Sequence, residues 1–252
     1  MSPVLCFLDT EFTDIVVDPE LLSLGLVTLD GHEHYVELHL ATEVGQARRR
    51  ASSDFVRHGV LDMWGLVPGA TCDYSEMGRR TAELLLALAA QSGTRVQVAF
   101  DYSTDYELME YAIRDSSPEL WGRVREVVTP VDVGPLTGSP EGEIAAEECF
   151  HELRRRGLTR HHALADAIAL RAAYIAVKAV AMQMAHATHS DTFRQLAQHA
   201  LQLGQDEAWL RTWVKQPAFG LGGRRPMDVL DEPGGLQTLK DLLTRIAHGV
   251  YS

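Results

Sequence analysis

The sequence predicts an α/β protein, a mixed sheet flanked by helices, followed from about residue 186 by a small all-helical segment. Three observations carry that expectation. Strand-like apolar runs open the chain, helical and strand-like segments then alternate, and beyond residue 186 no strand candidate remains. The charge balance changes at the same place: residues 1–180 hold 16 Lys+Arg against 28 Asp+Glu, whereas residues 181–252 hold 7 of each. The chain is therefore divided into a domain at 1–185 and a second at 186–252.

Val4–Leu8 is a short apolar run and reads as a buried strand. Leu22–Leu29 and Tyr35–Leu40 are two more strand candidates, with Asp30 and Gly31 between them as a hairpin turn. Ser52, Ser53 and Asp54 cap a helix over Phe55–Trp64. Ser75–Ala90 reads as a helix whose apolar side carries Met77, Leu84, Leu85 and Leu88, and Gly93 ends it. Arg95–Phe100 is a strand, and Ser103 or Thr104 caps a helix through Ile113. Val127–Val131 is the last strand. Gly134–Gly142, rich in Gly and Pro, reads as a loop, and Glu143–Arg156 and His161–Ala187 as helices. In the second domain Thr192–Leu203, Asp206–Val214 and Leu236–His248 read as helices. Gln216–Arg225 is a loop, Pro226 starts a short helix, and Gly249 leaves a Val-Tyr-Ser tail.

Bulk composition narrows the function classes. Hydrophobic residues make up 46% of the 252, enough for a sizeable core. The cysteines Cys6, Cys72 and Cys149 are odd in number and far apart, which argues against a disulfide framework or a zinc site and for reduced cytoplasmic thiols. No basic segment followed by an apolar run opens the sequence, so no signal peptide is expected. The run Ala172–Ala185, interrupted by Lys178, is too short for a membrane span. A net charge of −12 disfavours bulk attraction to polyanions. Nucleic-acid binding would need local devices: cations among clustered carboxylates, or the basic runs Arg48–Arg50 and Arg154–Arg156.

Candidate chemistry lies in the acids. Asp9 and Glu11 follow the apolar run Val4–Leu8, and a spacing of two puts both on one face of a strand. Like charges side by side repel, and a divalent cation between them would resolve the repulsion. Asp105 opens a helix after a strand, where a carboxylate also complements the helix dipole, and Asp101 competes for the same role. His161 and Asp166 lie five apart, about 500° around a helix. They share no narrow stripe but can meet near its first turn, and His162 is adjacent.

Taken in order, these residues resemble the DEDDh family of 3′–5′ exonucleases over roughly residues 3–180. The first motif stands as Phe7-Leu8-Asp9-Thr10-Glu11-Phe12, the second as Phe100-Asp101-Tyr102-Ser103-Thr104-Asp105-Tyr106-Glu107-Leu108, the third as His161-His162-Ala163-Leu164-Ala165-Asp166-Ala167. The resemblance implies a ribonuclease H-like fold. It also implies two Mg²⁺ or Mn²⁺ ions held by Asp9, Glu11, Asp105 and Asp166, and His161 as general base. The family's spacing favours Asp105 over Asp101 and His161 over His162. A bacterial exoribonuclease branch is resembled further in Ser23-Leu24-Gly25-Leu26-Val27, Asp30-Gly31 and Ser53-Asp54-Phe55-Val56-Arg57, which favours RNA 3′ ends over single-stranded DNA. Thr10, Phe12, Asp101 and Tyr102 are the expected substrate contacts, with Phe12 and Tyr102 stacking on a terminal base or packing in the core. Homodimers are expected by analogy with relatives.

The last 60 or so residues look like the toxin-binding domain of Xre/MbcA/ParS-type antitoxins, through Gly222-Gly223-Arg224-Arg225-Pro226 and Ile246-Ala247-His248-Gly249-Val250-Tyr251. That resemblance implies a RES-type toxin that consumes NAD⁺ as partner. It depicts a rival to the enzyme: an antitoxin-like binding protein in which the nuclease-like fold serves recognition.

Overall fold

The structure is a computed structural model that describes residues 3–15, 18–230 and 232–249. Its elements divide into two compact units, one up to Lys178 and one from Ala179.

The first unit is built on a six-stranded mixed sheet: β1 (Val4–Phe12), β2 (Leu21–Thr28), β3 (Glu33–Leu38), β4 (Thr71–Cys72), β5 (Val96–Phe100) and β6 (Val128–Asp132). The order across the sheet is β4-β3-β2-β1-β5-β6. Strand β2 runs antiparallel to both β1 and β3, while β1, β5 and β6 are mutually parallel and β4 is parallel to β3. The helices of this unit are α1 (Glu43–Ala51), α2 (Tyr74–Ser92), α3 (Ser103–Ser116), α4 (Pro118–Val127), α5 (Gly134–Thr137) and α6 (Pro140–Leu153). Helix α7 (Ala163–Gln202) starts in the first unit and extends into the second.

Alternation along β1 decides which face meets which helices. Cys6 and Leu8 point into a core shared with Met77 and Leu85 of α2, Met109 and Ile113 of α3, and Val124 of α4. Leu5 and Phe7 point the other way, to Leu170 and Tyr174 of α7, with the Phe7 and Tyr174 rings 5.2 Å apart. Both faces of β1 and β2 are therefore covered, which explains apolar runs without polar alternation. Burying a side chain such as Leu8 contributes roughly 1.5–3 kcal/mol.

Several elements differ from the sequence expectation, each for a local reason. The region Gly134–Gly142 is not a loop: α5 occupies its first half, and Ser139, followed by Pro140 at the first helical position, caps α6. The same Ser-Pro device, Ser117 and Pro118, starts α4, a helix absent from the sequence expectation. Thr42 caps α1, and β4 is a two-residue edge strand too short to leave a pattern. Phe55–Trp64 is not one regular helix but a π turn at Val56–Val60 followed by a 3₁₀ turn at Leu61–Met63. Helix α7 begins at Ala163 rather than His161, and it continues unbroken where two helices were expected around residues 187–192.

The second unit contains the end of α7 with α8 (Glu207–Trp213), α9 (Pro226–Leu230) and α10 (Gly235–Ala247). Leu196 and Ala200 of α7, Leu210, Val229, Leu230, Leu239 and Leu243 form its own core. Asp206 caps α8 by accepting from the Trp209 amide at 2.7 Å. The Val250–Ser252 tail lies outside the described residues. Among those described, no helix is long and apolar enough to cross a membrane.

Candidate metal centre

Asp9 and Glu11 continue the row that Leu5 and Phe7 begin on β1, so both carboxylates lie on the α7 side of the sheet. On α7, Asp166, Leu170 and Tyr174 recur every fourth residue, on one stripe of the helix. Leu170 and Tyr174 of that stripe pack on Leu5 and Phe7. Apolar contacts thus fix the pairing of strand and helix, and the carboxylates sit where that seam ends. Gly25 lies opposite Asp9 in the ladder, and a Cβ there would meet the Ala163 carbonyl oxygen at 2.4 Å. Only glycine lets the start of α7 approach β2 this closely.

The result is two overlapping carboxylate groups. In one, Asp9, Asp101 and Asp105 each offer an oxygen within 4.8 Å of the others; in the second, Asp9, Glu11 and Asp166 do so. Asp9 belongs to both. Asp105 is 2% exposed, and its Oδ1 accepts from the Thr10 amide at 3.2 Å and the Thr10 hydroxyl at 2.7 Å. Asp166 Oδ2 accepts from the His161 backbone N–H at 2.7 Å.

Burial and mutual repulsion raise every one of these carboxyls. Asp9 is pushed well above its ordinary range by desolvation, then by Asp166, Asp105 and Glu11. Glu11 is pushed up to about 9 by desolvation and by Asp166 and Asp105. Asp105 rises to about 7, burial outweighing the Thr10 hydrogen bonds. Asp166 also rises to about 7, burial outweighing the donors from His161 and His162. Such a set is poised for a counter-charge: four carboxylates to which, among the described residues, no cationic side chain is hydrogen-bonded.

His161 and His162 part company. His161 is exposed and adopts a left-handed φ of 65°, and its ring meets Phe55 edge-on at 4.9 Å. Its pKa is lowered, mainly by desolvation and then by Arg160. His162 is buried, stacks on Tyr35 at 4.5 Å and is pushed down to about 4 by burial. The left-handed residue sends consecutive side chains to opposite destinations, a difference in surroundings that the spacing preference for His161 could not supply.

The structure brings together Asp9, Glu11, Asp105 and Asp166, adds Asp101 to the cluster, and ties His161 to Asp166 through its backbone. Thr10 is 4% exposed with its hydroxyl committed to Asp105, so it supports a carboxylate rather than facing a ligand. Phe12 and Tyr102 stack at 6.4 Å, Tyr102 being half exposed and Phe12 also packing against the main core. Of the basic runs, Arg48 is buried, donates to the Leu21 carbonyl at 2.6 Å and lies over the Tyr74 ring at 3.9 Å; Arg156 pairs with Glu33 at 2.6 Å. Sequence reasoning missed Gly25 and Arg160; a glycine inside an apolar strand was the available signal for the former.

A cleft of about 950 Å³ opens beside the carboxylates, lined by Asp9, Asp101 and Asp166, by residues of α5 and α6, and by Arg160.

A family model described as the antitoxin Xre/MbcA/ParS C-terminal toxin-binding domain matches residues 197–249. The second unit is thus similar to that domain over most of its length. No curated protein matches the chain.

Proposed function

We propose that residues 1–185 form a metal-dependent 3′–5′ exonuclease of the DEDDh type, acting on RNA ends and releasing nucleoside 5′-monophosphates. One observation carries this reading: carboxylates 157 positions apart in sequence, Asp9 to Asp166, converge in two groups that share Asp9. A shared ligand between two oxygen-rich sites suits a pair of Mg²⁺ or Mn²⁺ ions. The strand order, with β2 alone running against its neighbours, supports the ribonuclease H-like fold.

When bound, such ions would neutralise the phosphate and make water acidic enough to attack at neutral pH. Asp9, Glu11, Asp105 and Asp166 would hold them, with Thr10 and the His161 amide orienting two of those carboxylates. His161, whose pKa is lowered by desolvation and by Arg160, would accept the proton from the attacking water. The Phe12 and Tyr102 pair offers a face for the terminal base. The test is a time course with 5′-labelled and 3′-labelled RNA and DNA in Mn²⁺. Stepwise shortening from the 3′ end is expected, abolished in Asp9→Ala and Asp166→Asn while circular dichroism stays unchanged. Equal turnover in either variant overturns the assignment.

The family match favours a second reading, and does so more directly than any comparison favours hydrolysis. In it the chain is a partner-binding protein of a toxin–antitoxin system, the second unit binds a toxin, and the first serves recognition. A RES-type toxin is the partner that the resemblance implies. Co-purification with a RES protein encoded beside this chain supports this reading; failure to recover one counts against it.

A further inference from the structure

We infer that Arg160 is the phosphate-binding residue of the cleft, contacting the backbone of a single-stranded nucleic acid beyond the carboxylate cluster. The inference rests on the nucleic-acid reading of the first unit. The cleft that Asp9 and Asp166 open into is otherwise hostile to a polyanion, since Asp101, Glu143, Glu147 and Glu148 also line it. Any metal ions at the cluster would serve the phosphate being cut. The neighbouring phosphates must still lie in the same cleft, where each needs its own counter-charge. Among the residues that line the cleft, Arg160 carries the one cationic side chain.

Its position is defined on both sides. The guanidinium lies over the Phe150 ring, 4.5 Å from its centroid, and pairs with Glu147, while its side chain remains about half exposed. Phe150 is anchored in the core, so the guanidinium rests on a fixed platform with donors free to turn toward a ligand. A half-exposed ion pair with Glu147 is worth little, and a phosphate can replace that carboxylate without leaving the arginine unpaired. Glu147 then acts as a stand-in anion that the substrate displaces. The basic runs do not fill this role, because none of the arginines at 48–50 and 154–156 lines the cleft.

The experiment is fluorescence anisotropy of labelled single-stranded RNA on the full chain, titrated over NaCl, in wild type, Arg160→Ala, Arg160→Lys and Glu147→Gln, with hydrolysis in Mn²⁺ followed in parallel. Loss of one phosphate contact reduces the slope of log affinity against log salt by about 0.7 and weakens binding about tenfold whatever the RNA sequence. Arg160→Ala should lose both, Arg160→Lys should recover the slope, and Glu147→Gln should bind more tightly. A residue that only holds the structure would lower the melting temperature and leave the slope alone. An unchanged slope in Arg160→Ala overturns the inference, whether or not the protein hydrolyses RNA. A reduced slope in a protein that does not hydrolyse RNA supports Arg160 and overturns the exonuclease reading instead. Absence of RNA binding by wild type overturns both.

Discussion

Thr10 donates twice to the same oxygen of Asp105, through its amide at 3.2 Å and its hydroxyl at 2.7 Å. Both donors approach Oδ1, which leaves Oδ2 outside these bonds and turns the carboxylate into an oriented ligand rather than a free rotor. Thr10 sits between Asp9 and Glu11 on β1 and points to the opposite face, so one strand supplies two acids and steadies a third.

Thr10→Val keeps the amide and removes the hydroxyl. The hydrogen bond from Thr10 holds the Asp105 pKa down, so its loss lets that pKa climb further above about 7. Mn²⁺ affinity at pH 7.5 is expected to fall about 10–100-fold, read by isothermal titration calorimetry, with Thr10→Ser near wild type. Wild-type affinity in the valine variant would sink the idea.

The raised carboxyls make metal-free stability depend on pH in a definite direction. Asp105 and Asp166 titrate at about 7 and Glu11 at about 9 in the folded chain, against ordinary values of 3.8 and 4.5. The unfolded chain ionises first, so the contribution of these groups is intact below about pH 4 and is lost as pH rises through the folded values. In EDTA at pH 8, Glu11→Gln should therefore melt higher than wild type by at least about 2–4 °C, and at pH 4 the two should coincide. Mn²⁺ at pH 8 should raise wild type more than the variant. Scanning fluorimetry decides it; a variant that melts lower in EDTA at pH 8 contradicts the repulsion argument.

Gly25→Ala tests the approach of α7 to β2. The added Cβ would press on the Ala163 carbonyl at 2.4 Å, and neither backbone can yield without moving the first turn of α7 and Asp166 with it. The expected outcome is a folded protein whose Mn²⁺-induced rise in melting temperature is reduced or absent. A full metal response in this variant would mean that α7 need not sit so close.

His161 and His162 should behave differently. As general base, His161→Ala should lower kcat about 10²–10⁴-fold with KM little changed and remove the acid limb of the pH–rate profile. His162→Ala removes a buried ring stacked on Tyr35 and should lower the melting temperature, with the pH dependence of any remaining activity unchanged. The reverse pattern would reassign the base.

Leu239→Asp places a charge at a position that is 0% exposed in the core of the second unit. Uncompensated burial of this kind destabilises by several kcal/mol. Capture of a toxin partner should disappear in a pull-down while RNA hydrolysis persists. Parallel loss of both would show that the two properties are not carried by separate units.

Much of the fold is legible in the sequence. The strands β1, β2 and β5 announced themselves because a strand covered on both faces must be apolar at nearly every position, and β3 and β6 through shorter runs beside turn and helix signals. The three motif segments stood in order, and the last stretch carried Gly-Gly-Arg and Ile-Ala-His-Gly elements within a region that a toxin-binding family model matches. Short elements escaped: α5 and the start of α6 hid behind Gly and Pro residues that punctuate loops as readily as they begin helices, and a two-residue β4 has no period to detect.

What the sequence alone determined is which residues could do the chemistry: hard oxygen ligands at the end of a buried strand, an acid opening a helix, a histidine ahead of another. Tertiary structure decided which of them meet. Asp101 joined the cluster, Thr10 turned inward to hold Asp105, one histidine went to solvent and its neighbour to the core, and Arg160 came to line an otherwise acidic cleft. Those outcomes depend on a left-handed residue at His161, on a missing Cβ at Gly25 and on Phe7 packing against Tyr174. The last two are relations between distant segments, and local propensity and periodicity, which act over a few residues, carry no record of them; a positive φ at a histidine runs against local propensity.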